Sequence, residues 1–179
     1  KEKRMEKFTF DLAKFIPYRN REVCEKVRMI KKEDICKHSN PQFKIRVIEE
    51  ENEFYFEFAL DIVKRIKDSL EERKKLVMIL PAGPIPQYKM AAHLINKLMI
   101  SCKHLHTFNM DEYANNEGKT APETWVGSFK KSMMENFFSV IDKDLRPPEE
   151  QIHFPSDKNI DHYGKMIEDL GGADVCYGG

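Results

Sequence analysis

The sequence predicts an α/β fold, a mainly parallel, doubly wound (Rossmann-like) sheet with helices on both faces. Strand-like and helix-like patterns alternate along the chain from Phe43 onward, as in folds built from repeated strand–helix–strand units. In the run KLVMIL at 75–80, the five residues after Lys75 are all apolar, which is typical of a strand buried on both faces of a parallel sheet. The proline-rich turn PAGPIP at 81–86 separates this strand from the next helical pattern.

The elements before this strand follow from local patterns. The segments at 8–20 and 21–30 are predicted to be short helices, broken by Pro17 and Pro41. The segment FKIRVIE at 43–49 alternates apolar and charged residues, which indicates a strand with one exposed face. A long helix follows, with apolar residues at helical spacing: Ala59, Ile62, Val63, Ile66 and Leu70.

The elements after this strand continue the alternation. The next helix is marked by Ala91, Leu94, Ile95 and Leu98. HLHTF at 104–108 is predicted to be a strand, and 109–124 the loop after it. A third helix is predicted from residues four apart, which we interpret as core: Trp125, Phe129, Met133 and Phe137. A fourth helix at 159–172 ends at two glycines, and ADVCYGG at 173–179 is the last predicted strand.

The two ends of the chain differ in regularity. Residues 1–42 are expected to be an N-terminal extension packed on the main domain, and residues 43–179 an α/β domain. The chain begins with Lys1 instead of Met and ends in a glycine pair directly after an apolar strand-like run. We therefore expect it to be the N-terminal portion of a longer protein, with the α/β domain incomplete at its C-terminus.

The composition is that of a globular protein. Hydrophobic residues make up 41% and charged residues 34%. Thirty basic residues balance thirty acidic ones, so no global field attracts nucleic acid or an anionic membrane. No apolar run approaches the roughly 18 residues of a membrane span, and the charged N-terminus KEKRMEK lacks the apolar core of a secretory signal. We expect a cytoplasmic protein that binds neither nucleic acid nor membranes.

Cysteine usage agrees with this location. The four cysteines form no C-x-x-C pair: Cys24, Cys36, Cys102 and Cys176. We interpret them as reduced, mostly buried thiols of a cytosolic protein.

Two adjacent carboxylates, Asp111 and Glu112, follow the predicted strand at 104–108. Ligands of open α/β sheets bind beyond the carboxyl ends of the strands. A carboxylate at this position can act as a general base that takes a proton from the carbon next to a carbonyl group. From the residues alone, a solvated turn fits equally well, because acidic residues are common in loops.

The turn PAGPIP lies between a buried strand and a helix N-terminus, where backbone N–H groups and the helix dipole favour phosphate. Gly83 is its only glycine, and Pro84 and Pro86 have no N–H to donate. The turn is therefore either a weak phosphate cradle or a plain tight turn.

His104 and His106 form an H-x-H pair whose members share a face if both lie on a strand. No third ligand is visible, and a structural zinc site needs four. We therefore predict no metal site.

An ordered set of motifs resembles the glucosamine-6-phosphate deaminase/isomerase family. The motifs are FNMDEY at 108–113, PETW at 122–125, MENFFSVID at 134–142 and ADVCYGG at 173–179. The family shows F-N-M-D-E-Y, P-E-S-Y, an N-F-F segment and a strand that runs on into G-x-G-x-D-G-H. LPAG at 80–83 stands where the family has its phosphate loop, L-P-T-G-[GS]-T-P. The resemblance covers about residues 43–179.

The resemblance implies an activity in amino sugar metabolism. An amino sugar 6-phosphate opens its ring, Asp111 takes the proton from C2 and returns one to C1, and the resulting imine loses ammonia to leave a ketose phosphate. The implied catalytic residues are Asp111 and Glu112, of which Glu112 orients the loop. The implied substrate-binding residues are Ala82, Gly83, Pro84 and Ile85. The family needs no metal or organic cofactor, and its members are usually homo-oligomers.

The sequence departs from the family pattern in the phosphate loop. Ala82 and Ile85 stand where the family has threonines, and Pro84 stands where it has a glycine or serine. Losing two hydroxyls and one N–H weakens phosphate binding by about a hundredfold or more. The ring-opening Asp and His of the family would follow Gly179. Two alternatives therefore stay open: a non-catalytic sugar-phosphate-sensing domain, and a related enzyme that acts on another sugar phosphate, such as a lactone hydrolase.

Overall fold

A computed structural model of the protein describes residues 21–178. They form two compact units, which divide between Phe54 and Tyr55. The predicted helix at 8–20 lies outside the described residues. Among those that are described, no helix is both long and apolar enough to cross a bilayer.

The first unit contains α1 (Arg21–Arg28), which confirms the predicted helix at 21–30, and a 3₁₀ turn, Lys32–Asp34. The strand predicted at 43–49 is wrong, because this segment is irregular and leaves Phe43 and Val47 58% and 45% exposed. Alternation supplies one apolar face, but a strand also needs a neighbouring backbone to pair with. No strand of the described chain pairs with these residues. The role assigned to residues 1–42 stays a prediction.

The second unit is built on a four-stranded parallel sheet with strand order β3-β2-β1-β4. Its strands are β1 (Leu76–Leu80), β2 (Leu105–Asn109), β3 (Ile152–His153) and β4 (Val175–Cys176). The sheet confirms the parallel α/β fold and the three strands predicted within 75–179. The sequence does not predict β3, because two paired residues leave no periodic signal.

The main hydrophobic core lies on the face of the sheet that carries α2 (Glu51–Glu71) and α3 (Pro86–Leu98). Its buried members on these helices and on β1 are Ala59, Ile62, Val63, Ile66, Leu76, Met78, Leu80, Tyr88, Ala91, Ala92 and Ile95. Leu70 and Leu98, which the helical spacing assigns to the same stripes, are 37% and 58% exposed. Both lie within the last two residues of their helices, where the apolar stripe runs past the core.

The opposite face of the sheet packs against α5 (Tyr163–Asp169). The buried ring of Phe108 stacks on the ring of His153 at 4.4 Å and meets the ring of Tyr163 edge-on at 5.4 Å. The Tyr163 hydroxyl donates to the main-chain oxygen of His153 (3.0 Å). Helices therefore cover both faces of the sheet, as predicted.

The third predicted helix is shorter than its sequence pattern. It comprises α4 (Phe129–Met133), which runs on into a π-helical turn, Met134–Phe138. It begins after Ser128, whose backbone is extended. The Ser128 hydroxyl oxygen caps the helix by accepting the Lys131 N–H (3.2 Å). Trp125 therefore lies outside the helix, contrary to the prediction. Met133 and Phe137, which the same pattern assigns to the core, are fully buried.

The fourth predicted helix consists of a 3₁₀ turn, Ile160–His162, followed by α5. It ends at Gly171 and Gly172, whose φ angles are 95° and 93°. This left-handed backbone is the glycine stop that the sequence predicts.

The described cysteine side chains are free thiols, but only Cys102 is buried, and burial raises the pKa of its thiol to about 12. Cys36 and Cys176 are exposed, so the expectation of mostly buried thiols is wrong for these two. Cys36 belongs to the first unit, where no described side chain is buried. Cys176 lies on β4, which within residues 21–178 pairs with β1 alone.

Replacing Ile95 with Ala should lower the free energy of unfolding by about 2–5 kcal/mol, because a fully buried side chain of α3 would leave a cavity. Leu98→Ala, one turn along the same helix, is the matched control and should change it by about 0.5 kcal/mol or less, since this side chain is 58% exposed. Urea unfolding followed by circular dichroism measures both. Equal losses would contradict the assignment of the core face.

Candidate functional site

The carboxyl ends of β1 and β2 lie side by side. Leu80 and Asn109 are paired residues, and the Met110 N–H donates to the Leu80 carbonyl oxygen (2.9 Å). The loop 81–85 leaves β1 at the same edge at which Asp111 follows β2. The structure thus brings the two predicted parts of the site to one edge of the sheet.

Asp111 is exposed at this edge and makes no side-chain hydrogen bond within the described chain. Partial burial raises the pKa of its carboxyl above the ordinary 3.8, and the neighbouring negative charge of Glu112 raises it further. A carboxylate with a raised pKa is a better proton acceptor than an ordinary aspartate.

Glu112 is held by four donors. Its Oε1 accepts the N–H of Tyr113 (2.8 Å) and the N–H of Phe129 (3.0 Å). Its Oε2 accepts the hydroxyl of Ser128 (2.9 Å) and the N–H of Lys130 (2.8 Å). A carboxylate has about four lone-pair sites, so this side chain is fully occupied. The arrangement suits a residue that orients the loop.

Three of these donors lie at the start of α4. The first N–H groups of a helix have no partner within the helix, and a negative charge there is favourable. Glu112 satisfies the N–H groups of Phe129 and Lys130, and Ser128 is almost completely buried beside it. The carboxylate therefore ties the end of β2 to a helix 17 residues further along the chain.

Aromatic rings pack the middle of the loop. The Tyr113 ring meets Trp125 edge-on at 5.3 Å and Phe129 at 4.7 Å. The indole folds over Gly127, where a Cβ would lie 2.4 Å from a Trp125 ring carbon, so a larger residue would displace the indole.

A second contact holds the far end of the loop. Asp157 accepts the Thr120 hydroxyl (2.7 Å) and the Lys119 ammonium (3.1 Å), and its own N–H donates back to the Thr120 hydroxyl oxygen (2.6 Å). These hydrogen bonds lower the pKa of the Asp157 carboxyl to about 2. The contact is thus charged at any physiological pH.

The loop 81–85 offers backbone donors. The N–H groups of Ala82, Gly83 and Ile85 have no hydrogen-bond partner among the described residues. The loop is anchored from below by the buried Tyr88 hydroxyl, which donates to the carbonyl oxygen of Pro81 (2.5 Å). With Pro86 as its first residue, α3 directs its N-terminus to the same edge.

The two histidines of the H-x-H pair do not share a strand. His104 precedes β2 and its Nε2 bonds to the Ser69 hydroxyl (2.8 Å) and lies 3.2 Å from the Ile66 carbonyl oxygen. Burial lowers the pKa of both imidazoles. No cluster of three or more His, Cys, Asp or Glu suited to a metal ion occurs within residues 21–178.

A cleft lies beside the loop rather than over Asp111. It has a volume of about 680 Å³ and is bounded by Glu112, Lys130, Phe154 and Asp157. The Lys130 ammonium sits 5.9 Å from the centre of the Phe154 ring. Of the predicted site residues, Glu112 lines this cleft, whereas Asp111 and the loop 81–85 do not.

Sequence reasoning misses Ser128, Asp157 and Gln87 at this edge. Ser128 has a detectable signal, since a serine before an apolar helical pattern is a frequent N-cap. Asp157 has none, because its partners lie 37 residues away in the chain. Gln87 is fully buried in the first turn of α3, which its polar side chain does not suggest.

Curated proteins are similar to most of the chain, although no protein-family model matches it. A glucosamine-6-phosphate deaminase of Caenorhabditis elegans is 34% identical over 142 residues, which are 74% of this chain and 50% of that protein. One of Fusobacterium nucleatum is 35% identical over 130 residues, 68% of this chain and 44% of that protein. The chain spans about half the length of these relatives.

Solved structures are similar in fold. A monomeric glucosamine-6-phosphate deaminase described as a missing link of the NagB superfamily superposes with a TM-score of 0.55 at 22% identity, over 68% of this chain and 50% of that one. A 6-phosphogluconolactonase of Thermotoga maritima superposes with a TM-score of 0.50 at 21% identity, over 68% of this chain and 54% of that one. At such low identity the likeness concerns the fold alone.

Replacing Glu112 with Gln should lower the free energy of unfolding by about 1.5–3 kcal/mol, because hydrogen bonds to a charged acceptor are lost and the new NH₂ group faces donors. Glu117→Gln removes an exposed carboxylate from the same loop and is the matched control. It should change the free energy of unfolding by about 0.5 kcal/mol or less. Thermal unfolding of both variants measures the difference. A Glu112 variant as stable as the control would exclude an anchoring role.

Proposed function

Because the chain belongs to the glucosamine-6-phosphate deaminase/isomerase family, we propose that it converts an amino sugar 6-phosphate to a ketose phosphate and ammonia. The position of Asp111 carries this proposal. It is an exposed carboxylate with a raised pKa. It lies at the edge of the sheet where the loop 81–85, the counterpart of the family's phosphate loop, also begins.

The proposed chemistry starts from the open-chain aldehyde of the amino sugar. The Asp111 carboxylate takes the proton from C2, and the electron pair forms the C1=C2 double bond of an enolamine while the C1 oxygen takes a proton from solvent. Asp111 then returns a proton to C1, which leaves an imine at C2. Water adds to the imine and ammonia departs, so that the products are a ketose phosphate and ammonia and the carboxylate is regenerated.

The other predicted residues have supporting roles in this proposal. Glu112 holds the backbone from which Asp111 projects, through its bonds to the start of α4. The loop of Ala82, Gly83, Pro84 and Ile85 receives the phosphate on its unpartnered N–H groups and at the positive end of the α3 dipole. No metal or organic cofactor enters any of these steps.

The two alternative functions have less support. The curated relatives named above are both deaminases, and a sensing domain has no need for a proton acceptor at position 111. The relationship to a lactonase extends to the fold alone.

Three finer expectations belong to the same proposal. The activity is hydrolytic, because release of ammonia consumes water, and we propose a cytoplasmic location and a homo-oligomer. The solved deaminase of similar fold is described as monomeric, so light scattering of the purified protein is the direct measurement of assembly.

Proton NMR of glucosamine 6-phosphate in D₂O with the intact protein tests the activity. Loss of the C2 proton signal together with released ammonia is the expected result. If neither exchange nor ammonia is detected, the proposal fails. Exchange without ammonia would leave an isomerase that does not deaminate.

Asp111→Asn should abolish C2 proton exchange, because an amide cannot accept the proton, while the exposed position leaves the unfolding temperature unchanged. Glu117→Gln removes another carboxylate of the loop and should keep the wild-type exchange rate. The same NMR signal and a thermal melt measure both variants. Exchange at the wild-type rate in the Asn variant would remove Asp111 from the mechanism.

The exchange rate should fall at acidic pH with a midpoint above 3.8, since burial raises the pKa of the Asp111 carboxyl above this value. The base works only when it is deprotonated, so activity is present above the raised pKa and is lost as the pH falls through it. A pH profile of C2 exchange at saturating substrate measures the midpoint. A midpoint at or below 3.8 would contradict the assignment.

A further inference from the structure

Gln87 is a buried side chain without a partner. It is fully buried, and neither its amide nitrogen nor its amide oxygen makes a hydrogen bond within the described chain. Buried amides in folded proteins are almost always hydrogen-bonded, because each unsatisfied group forfeits its interactions with water. An apolar side chain of the same size would fit this position without that cost.

The position of Gln87 places its amide near the proposed site. It is the second residue of α3 and directly follows the loop 81–85. Side chains of an α-helix lean toward the helix N-terminus, so this amide is directed toward the end of α3 that meets the loop. The N–H groups of Ala82, Gly83 and Ile85 have no partner there either.

Other buried polar atoms without partners occur at the same edge. The side-chain oxygen of Asn109 is buried and unpartnered at the end of β2, and the hydroxyl of Thr107 is unpartnered two residues earlier. These residues pair with Leu80 and Met78, which lie on the face that α3 covers. Among the described residues, Asn109 thus adds one unsatisfied atom at the sheet edge where α/β folds bind ligands, whereas Thr107 and the unpartnered Nδ1 of His104 lie further toward the start of β2.

We propose that the Gln87 carboxamide is a ligand-binding group of this site, which donates to the phosphate of a sugar phosphate and accepts from one of its hydroxyls. This inference rests on the proposed function and adds to it a residue that selects the substrate. The amide supplies two N–H donors to a loop that has no hydroxyl at Ala82 or Ile85.

The chemistry of the amide determines which ligands it favours. A carboxamide is satisfied only when one atom donates and the other accepts. A sugar phosphate offers both an oxyanion and hydroxyl groups, whereas sulfate offers oxygens alone. Because Gln87 is fully buried in the ligand-free protein, binding at its amide requires the preceding loop 81–85, in which Gly83 is exposed, to shift.

The test is isothermal titration of the intact protein with glucosamine 6-phosphate, glucosamine and sulfate. Gln87→Met keeps the length of the side chain and removes both polar atoms. It should raise the Kd for glucosamine 6-phosphate by about 10- to 100-fold and the Kd for sulfate by less. A Kd for glucosamine 6-phosphate within threefold of wild type overturns the proposal.

Gln151→Met is the matched control. This glutamine precedes β3 at the opposite edge of the sheet, and in the orientation its neighbours support, its amide nitrogen donates to the carbonyl oxygens of Lys103 and Leu105 (3.0 Å each). The control variant loses satisfied hydrogen bonds, so its unfolding temperature should fall while its Kd for glucosamine 6-phosphate stays at the wild-type value.

The stability of the ligand-free protein separates a ligand-binding amide from a structural one. Gln87→Met removes unsatisfied atoms, so its unfolding temperature should equal or exceed that of wild type. A lower temperature, or failure to fold, would show that the amide supports the fold and would overturn the proposal. Gln87→Leu, scored in the same way, guards against an effect peculiar to methionine.

The results distinguish this inference from the proposed function. Wild-type protein that binds glucosamine 6-phosphate through Gln87 but exchanges no C2 proton supports the inference and refutes the activity. Protein that exchanges the proton while the Gln87 variants keep the wild-type Kd refutes the inference alone. Wild-type protein that binds none of the three probes overturns the inference.

Discussion

The parallel register between β1 and β2 is the constraint on which the site depends. Five residues of each strand pair, from Leu76 with Leu105 to Leu80 with Asn109. Parallel neighbouring strands need a crossover connection between them. The helix α3 supplies it, with its apolar stripe packed on the sheet face that carries Leu76, Met78 and Leu80. The loop 81–85 and Asp111 therefore leave the sheet side by side, although about 30 residues separate them in the chain. A register shifted by one residue would turn Asn109 and its neighbours to the opposite face.

The long connection after β2 needs its own anchors. About 19 residues separate β2 from α4, and connections of this length without regular structure are uncommon in compact domains. Here Glu112 satisfies the start of α4, and Asp157 holds Thr120 at the far end. The two adjacent acids therefore differ in role. The Glu112 carboxylate accepts hydrogen bonds that anchor the loop, whereas partial burial and the charge of Glu112 raise the pKa of the Asp111 carboxyl.

The sequence predicts what is encoded locally. Five consecutive apolar residues, Leu76–Leu80, predict β1, and helical spacing from Ala59 to Ile66 predicts the buried stripe of α2. Prediction fails where the outcome depends on distant partners: residues 43–49 alternate correctly but find no strand to pair with. The position of Asp111 at the sheet edge is predictable from the strand that precedes it. The anchoring of Glu112 is not, because three of its four donors lie 16–18 residues away.

In the proposed site, part of the binding moves from the backbone and hydroxyl groups of the family's phosphate loop to the side chain of Gln87. Pro86 removes no useful donor, because the first N–H of a helix has no helical partner, but Pro84 does remove one. The buried Gln87 amide restores donors one residue further along, at the positive end of α3. Its unsatisfied atoms destabilise the ligand-free protein, and such a residue persists where binding matters more than stability. Because the amide needs a donor and an acceptor at once, it favours a sugar phosphate over a simple anion, which a loop of N–H groups alone cannot do.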